Sequence, residues 1–301
     1  MSCESPRRPE FELGLALGLA LALALALVAC GPSLGEAPAP RPRIAGGHLV
    51  LVGGGDKPDD AMRLFVALAG GAEARLVILP LASADDRLGG AEYVERFRRL
   101  GVRDVTVLHV DDRRDAGRAA FARQIAGATG VWFAGGDQRR IAARLVDTPA
   151  HAALAAMKLA GGVIGGTSAG TACQSRWMIT GDGDPHALRP GAMELAVGLG
   201  LAEGVVLDTH FGARRRHRRL AGVVLDHPEA VGLGVDEGTA VWLRPDHTFE
   251  VLGEGEVVVM EATAASRAPS ASAPLTDVPG LRVITLARGA RYDLTTRRSL
   301  P

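Results

Sequence analysis

The amino-acid sequence predicts an α/β fold with a mostly parallel sheet, helices on both faces and a strand-rich C-terminal edge. Short apolar runs that end at Gly or polar residues alternate with longer helical patterns over residues 48–165, which is typical of βαβ units around a parallel sheet. Hydrophobic residues make up 47% of the chain, enough for a substantial core. We therefore expect ligand-binding and catalytic side chains at the carboxyl ends of strands.

The first 30 residues have the features of an export signal. Residues 13–29 are almost entirely Leu and Ala, and they run into Ala29-Cys30-Gly31, which is typical of a lipoprotein cleavage site. The sequence therefore predicts a signal peptide over 1–29 and a lipid on Cys30, which anchors an exported protein on the periplasmic or cell-surface side of a membrane. The alternative is an uncleaved anchor, because about 17 to 25 apolar residues can span a bilayer.

Residues 30–47 are expected to be the lipidated Cys and a tether, and residues 48–301 a catalytic α/β domain. The tether is rich in Pro and Ala and has no hydrophobic period. Cys173 has no obvious disulfide partner after processing, so we expect a small buried hydrophobic residue there. The chain carries 34 basic and 34 acidic residues, a balance that gives no global electrostatic argument for nucleic-acid binding.

Strands and loops are predicted along the whole of this domain. Buried strands are expected at 48–52, 75–81, 105–110, 130–134 and 162–165, with helical patterns between them. A further strand from residue 205 and a basic helix lead to a strand-rich segment at 231–261, with a turn at 244–246. Residues 263–273 are predicted to be a loop, and residues 281–292 a closing strand or hairpin at the sheet edge.

The most informative segment is a Gly-x-Ser-x-Gly turn around Ser168, between an apolar strand and a helix. This is the pattern of a nucleophile elbow, in which small flanking residues avoid clashes and the turn lifts the serine hydroxyl toward a base. The backbone N–H of Ala169 then faces a developing oxyanion. The alternative is a glycine-rich packing turn, in a chain that has 39 Gly.

Three other segments place polar groups after strands. Gly136 and Gln138 follow the strand at 130–134, where the Gly136 N–H can be a second oxyanion donor, Gln138 a substrate contact and Asp137 a helix N-cap. His210 ends the strand from residue 205, and Glu237 follows another strand, where its carboxylate can orient an imidazole. The site is therefore expected to combine a nucleophile, a base and an orienting acid.

Shortly after His210, five arginines lie within the six positions 214–219. They are Arg214, Arg215, Arg216, Arg218 and Arg219. One interpretation is a solvated helix face. The other is that some of the guanidinium groups bind carboxylates of an acidic substrate beside the serine.

Taken in order, these motifs and the segment 236–240, Asp-Glu-Gly-Thr-Ala, resemble the cyanophycinase family of S51 serine peptidases over residues 48–262. The resemblance implies a class I glutamine amidotransferase-like fold. It implies the following roles: Ser168 as nucleophile, His210 as base, Glu237 as orienting acid, Gly136 and Ala169 as oxyanion donors, and Gln138, Asp208, Arg214, Arg216 and Arg219 as substrate-binding residues.

The resemblance also implies an activity. Family members hydrolyse cyanophycin, a poly-aspartate backbone with arginine on its side chains, to β-Asp-Arg dipeptides without a metal or other cofactor. We therefore expect a serine exopeptidase that acts on an acidic, β-linked aspartyl-arginine polymer or peptide and meets the membrane only through its lipid; a homodimer stays open. Thr209 and Thr171 stand where the family usually has Gln and Ala, which bears on substrate identity.

Other interpretations of the sequence are open at this point. The order of an α/β-hydrolase triad would pair Ser168 with His247 and with Asp208 or Asp226. The glycines at 53–55 weakly suggest nucleotide binding, although Pro58 stands where a third fingerprint Gly is expected. The protein could also hydrolyse other isoaspartyl or acidic peptides, or be a binding lipoprotein that keeps this fold without turnover.

Overall fold

The computed structural model describes residues 47–83 and 89–301. Within these ranges lie fifteen strands, β1–β15, and eight α-helices with both ends described, α1–α8. The helices are α1 Asp59–Ala69, α2 Ala91–Arg99, α3 Arg113–Ala116, α4 Ala119–Gly127, α5 Gln138–Leu145, α6 Pro149–Leu159, α7 Ala169–Ala172 and α8 His217–Asp226. The predicted signal peptide, Cys30 and all of the tether except Gly47 lie outside the described residues.

A nine-stranded sheet forms the centre of the domain. Its strands are β1 His48–Val52, β2 Arg75–Leu79, β3 Asp104–Val107, β4 Gly130–Phe133, β5 Val163–Thr167, β10 Thr239–Leu243, β11 Thr248–Gly253, β14 Arg291–Asp293 and β15 Arg298–Leu300, in the order β15-β14-β11-β10-β1-β5-β4-β2-β3. The five strands from β1 to β3 are parallel, and the four at the other edge are antiparallel. Strand β1, in the middle, is buried along its whole length, as an apolar run between two covered faces requires.

A second sheet packs against one face of the first. It consists of β8 Val205–Thr209, β9 Val231–Val235, β12 Val257–Glu261 and β13 Arg282–Leu286, in the order β13-β12-β9-β8. One core cluster contains side chains of both sheets, including Leu51 of β1 and Leu207 of β8. The two sheets therefore share a hydrophobic core, so burial of apolar surface holds them together.

Helices α1 and α2 cover the opposite face of the nine-stranded sheet. In α1 the spacing of Met62, Phe65, Val66 and Ala69 places apolar side chains on one face, and the helix ends at Gly70 in the left-handed conformation. Phe65 packs edge-on to Trp132 of β4, with ring centroids 5.1 Å apart. Helices α4, α5 and α6 contribute side chains to the core on the other face. With helices on both faces and antiparallel strands at one edge, the predicted fold class is confirmed.

The structure differs from the sequence-based expectation in two places. Residues 281–292 contain a strand at a sheet edge, as one predicted alternative had it, because β13 pairs with β12 at the edge of the second sheet. They do not form a hairpin, since β14 pairs with β11 in the first sheet. A hairpin that the sequence did not predict, β6 Trp177–Gly183 with β7 Met193–Val197, stands beside α5. Within the described ranges, no helix has the length and apolarity that crossing a membrane requires.

Candidate active site

Ser168 lies in a strained turn between β5 and α7. Its φ is 54° and its ψ is −115°, a backbone conformation that costs a non-glycine residue about 1–3 kcal/mol. The Ser168 N–H donates to the carbonyl of Val52 at the end of β1, 3.0 Å away. The turn also needs both flanking glycines, since a Cβ on Gly166 would lie 2.4 Å from the Gly170 carbonyl oxygen and one on Gly170 2.3 Å from that of Phe133.

The hydroxyl of Thr171 ties this elbow to the sheet. The side chain is fully buried, and its Oγ1 lies 2.7 Å from the carbonyl oxygen of Val52 and 2.9 Å from that of Gly166. Cys173, which directly follows α7, is buried, and burial raises the pKa of its thiol. Thr171 thus stabilises the elbow from below, and Cys173 has the inert environment expected of a small hydrophobic residue.

Ser168, His210 and Glu237 form one chain of hydrogen bonds. The Ser168 Oγ lies 2.8 Å from His210 Nε2, and His210 Nδ1 lies 2.5 Å from Glu237 Oε1. Because the carboxylate can only accept, Nδ1 carries the proton and Nε2 is left to accept from the serine hydroxyl. The imidazole is thereby held in the tautomer that a general base needs.

A glycine loop at residues 53–55, directly after β1, packs against the imidazole of His210 and holds it in place. The backbone N–H of His210 donates to the Gly53 carbonyl at 2.8 Å, which holds His210 at a φ of 49°. A Cβ on Gly54 would lie 2.3 Å from His210 Cε1, and one on Gly55 3.0 Å from the Glu237 Cβ. The sequence suggested a weak nucleotide-binding motif here. The three glycines at the carboxyl end of a central strand instead make room for the side chains of the triad.

Two backbone N–H groups close to Ser168 are candidate oxyanion donors. Ala169 is the first residue of α7, so its N–H has no partner within the helix. Gly136 follows β4 and lines the same cleft at a φ of 141°, and a Cβ there would lie 2.1 Å from the Ala82 carbonyl oxygen. Among the described residues, neither N–H donates a hydrogen bond. Both are free for an oxyanion.

The side chains of Asp137 and Gln138 make most of their hydrogen bonds within the protein. Asp137 is the N-cap of α5 and accepts from the Arg139 N–H at 2.9 Å. The Gln138 amide nitrogen donates to the carbonyls of Ile179 at 2.8 Å and Thr180 at 3.0 Å in β6. Both amide hydrogens of Gln138 are therefore used, and only its carbonyl oxygen is left for a ligand.

Asp208 lines the cleft and holds two arginines. It is 1% exposed; both of its oxygens accept from Arg219, and Arg216 Nη1 lies 3.5 Å away. Its contacts therefore indicate that the Asp208 carboxylate orients guanidinium groups. They fit direct contact with substrate less well. Arg216 also donates to the Thr209 carbonyl at 2.7 Å. Burial lowers the pKa of Arg216 to about 10, so an anionic ligand would stabilise its charge.

The remaining arginines differ in their surroundings. Arg214 lines the cleft, and within the part of the chain that the structure describes its guanidinium has no partner. Arg218 instead donates to the carbonyls of His186, Ala271 and Ala273, a structural role. Arg215 is exposed and lies outside the cleft lining. Only some of the five arginines can meet a substrate.

The cleft has a volume of about 310 Å³ and opens at the carboxyl ends of the parallel strands. Ser168, His210, Arg214, Arg216 and Arg219 line it. In the described residues, no group of three or more His, Cys, Asp or Glu side chains could hold a metal ion.

His247 does not belong to this cleft. It follows β10, whose Leu243 pairs with Leu49 near the start of β1, whereas Ser168 follows Thr167, which pairs with Val52 at the end of β1. His247 also lines a separate cavity. The two residues lie at opposite ends of the central strands, so the alternative triad through His247 is wrong.

The fold and the site together define a serine hydrolase. The α/β fold holds a hydrogen-bonded Ser–His–Glu chain at a strand-to-helix elbow, and free backbone N–H groups lie beside it.

Comparison with known proteins gives the family. The model of peptidase family S51 matches residues 49–251, and the chain belongs to this family. It is 32% identical to a cyanophycinase of Geminocystis herdmanii over 84% of this chain and 95% of that protein, and 33% identical to one of Trichormus variabilis over 84% and 87%. The crystal structure of a peptidase from an acI-B1 Actinobacterium is similar in fold, with a TM-score of 0.63, 23% identity and coverage of 82% of this chain and 97% of that one. The chain is thus a serine peptidase.

Proposed function

We propose that the chain degrades cyanophycin as a serine exopeptidase and releases β-Asp-Arg dipeptides. The observation that carries this proposal is the Ser168–His210–Glu237 chain of hydrogen bonds at a cleft lined by arginines. Among the described residues the Arg214 guanidinium has no partner, whereas Arg216 shares the carboxylate of Asp208 with Arg219. The identity of 32–33% to cyanophycinases over most of the chain supports the same substrate. A poly-aspartate backbone carries free carboxylates, which arginine binds well.

The first half of the reaction is acyl transfer to Ser168. His210 Nε2 takes the hydroxyl proton as the Ser168 Oγ attacks the scissile carbonyl carbon, and the carbonyl oxygen becomes an oxyanion. The N–H groups of Gly136 and Ala169 donate to that oxyanion, and Glu237 stabilises the imidazolium. The tetrahedral intermediate collapses when the C–N bond breaks and His210 gives its proton to the leaving amine.

The second half is hydrolysis of the acyl-enzyme. A water molecule gives one proton to His210 Nε2 while its oxygen attacks the ester carbonyl carbon, and the same N–H groups bind the second oxyanion. The bond from the carbonyl carbon to the Ser168 Oγ then breaks, and His210 returns the proton to the serine. The product leaves with a new carboxylate, and the enzyme is unchanged.

The decisive experiment compares dipeptide release from purified cyanophycin by the full-length chain and by its Ser168→Ala variant. We expect release by the parent and a loss of about 10⁴- to 10⁶-fold in kcat for the variant, because triad members act as a unit. Ser299→Ala, an exposed serine outside the cleft, is the matched control and should behave as the parent.

Each other result has a definite meaning. Release by neither the parent nor the variant would favour another isoaspartyl or acidic peptide as substrate, or a binding protein without turnover. Equal release by both would exclude Ser168 as the nucleophile.

We also propose that the chain is exported and anchored by a lipid on Cys30. The support is the apolar segment 13–29 and the small residues around Cys30, since such segments direct export and lipidation. Expression in a bacterium with a radiolabelled fatty acid should label the parent and leave Cys30→Ser unlabelled. Equal labelling of both would refute the assignment of Cys30.

A further inference from the structure

The carboxylate of Asp236 connects two parts of the site that are distant in sequence. Its Oδ1 accepts from the backbone N–H of Glu237 at 2.8 Å and from that of Ala213 at 3.1 Å. Glu237 orients His210, and Ala213 precedes Arg214. One oxygen atom thus accepts hydrogen bonds from Glu237, the acid of the triad, and from the segment that carries the cleft arginines.

The segment 212–216, here called the arginine loop, is shaped for this contact. A Cβ on Gly212 would lie 2.5 Å from Asp236 Oδ2, so a side chain at 212 would push the loop off the carboxylate. The loop is a series of backbone turns in which the N–H groups of Arg214, Arg215 and Arg216 donate to the carbonyls of His210, Gly212 and Phe211. Fixing Ala213 therefore fixes where the arginine side chains begin.

In the described structure the Asp236 carboxylate forms no ion pair. Within residues 47–83 and 89–301 no cation pairs with its carboxylate, and it does not line the cleft. Its own N–H donates to the Glu256 carbonyl at 3.2 Å, which holds the residue at the end of β9. Two N–H groups on one ionised oxygen make strong, directional contacts, because hydrogen bonds to charged groups are about twice as strong as neutral ones.

We propose that Asp236 is a positioning residue that couples the triad to substrate recognition by holding Glu237 and the arginine loop on one carboxylate. Loss of the carboxylate should displace both at once, so the reactivity of Ser168 and the affinity for an acidic substrate should fall together. The second effect rests on the acidic substrate proposed above, whereas the first needs only serine chemistry.

The experiment separates the two effects with two measurements on the full-length chain. The rate at which a small uncharged fluorophosphonate labels Ser168 reports on the triad alone, and KM for dipeptide release from cyanophycin reports on the arginine loop as well. We expect Asp236→Ala to slow labelling by about 10- to 100-fold, as a misplacement of about 1 Å can. We expect KM to rise by about 5- to 10-fold, the effect of weakening one hydrogen bond to a charged group.

Three further variants make the result specific. Asp236→Asn keeps an acceptor oxygen at the same place but removes its charge, and should restore part of both parameters. Asp236→Glu keeps the charge but moves the oxygens, and should impair both the labelling rate and KM. If the alanine variant does not fold, the glutamate variant tests the role of Asp236 in its place. Asp246→Ala removes a turn carboxylate that accepts the Thr248 N–H at 3.0 Å in the β10–β11 turn, and should match the parent.

A change in only one parameter, or in neither, in variants that melt as the parent does would overturn the coupling role. Full loss in Asp236→Asn would also overturn it, because the acceptor atom is still there. If the parent releases no dipeptide from cyanophycin, the proposed substrate is wrong, and an unchanged labelling rate in Asp236→Ala would then refute the role of Asp236 separately.

Discussion

Replacement of Gly54 by Ala should disable catalysis without contacting the nucleophile. In the structure an added Cβ at this position would lie 2.3 Å from His210 Cε1 and 2.5 Å from Nε2, the atom that accepts from Ser168. An ordinary contact between non-bonded carbon atoms is about 3.5 Å, so the ring must move by about 1 Å. That movement lengthens the 2.8 Å contact between serine and histidine.

The size of the effect follows from this displacement. A misplacement of about 1 Å in a catalytic group can cost about 10²-fold in rate, and we expect kcat to fall by at least that factor. Gly54 also has a φ of 123°, so Ala adds backbone strain, which lowers stability by about 1–3 kcal/mol. The variant should therefore lose both activity and stability, for two separate reasons.

Gly101→Ala isolates the second reason. Gly101 has a φ of 91°, and a Cβ there would meet nothing within 4 Å. Both variants should melt earlier than the parent in a thermal scan, but only Gly54→Ala should lose kcat in dipeptide release and in fluorophosphonate labelling. A kcat for Gly54→Ala within about twofold of that for Gly101→Ala would show that the ring contact has no catalytic consequence.

Further predictions concern the cleft arginines and the elbow. Arg214→Gln should raise KM for an acidic substrate by about 5- to 10-fold through loss of a free guanidinium, and Arg215→Gln should leave KM unchanged; equal shifts would contradict their different positions. Thr171→Val should lower the free energy of unfolding by about 1–3 kcal/mol, because the one buried hydroxyl donor that lies between the Val52 and Gly166 carbonyls is lost. Urea denaturation measures this; an unchanged midpoint would refute it. Cys173, whose thiol pKa burial raises, should react with a thiol reagent at pH 8 only after unfolding; rapid modification of Cys173 itself in the folded protein, identified by peptide mapping, would contradict its burial.

The parts of the fold that the sequence predicted are those with a clear local pattern. Strand β1 was predicted with its observed bounds, since an apolar run next to three glycines leaves little choice. The β6–β7 hairpin was missed because Gly181, Asp182 and Gly183 interrupt any alternation, and both glycines have positive φ. The separation of β13 from β14 was also missed, since nothing local distinguishes pairing with β12 from pairing with β11.

The site shows the same division. The elbow at Ser168 was predictable because its requirements lie within five residues. The contacts of Asp208 were not: its partner Arg219 lies on the next helix, and only the packed structure shows that both carboxylate oxygens are used. The fit of Gly54 against His210 joins residues more than 150 positions apart, so the same glycines suggested a different function in the sequence.

The division into two sheets has a consequence for when the protein can be active. Ser168 follows β5 of the nine-stranded sheet, His210 follows β8 of the second, and Glu237 lies on the crossing from β9 to β10. A chain with both sheets formed but not yet docked would hold its nucleophile and its base on separate bodies. Peptide hydrolysis by Ser168 therefore requires the two sheets to be docked.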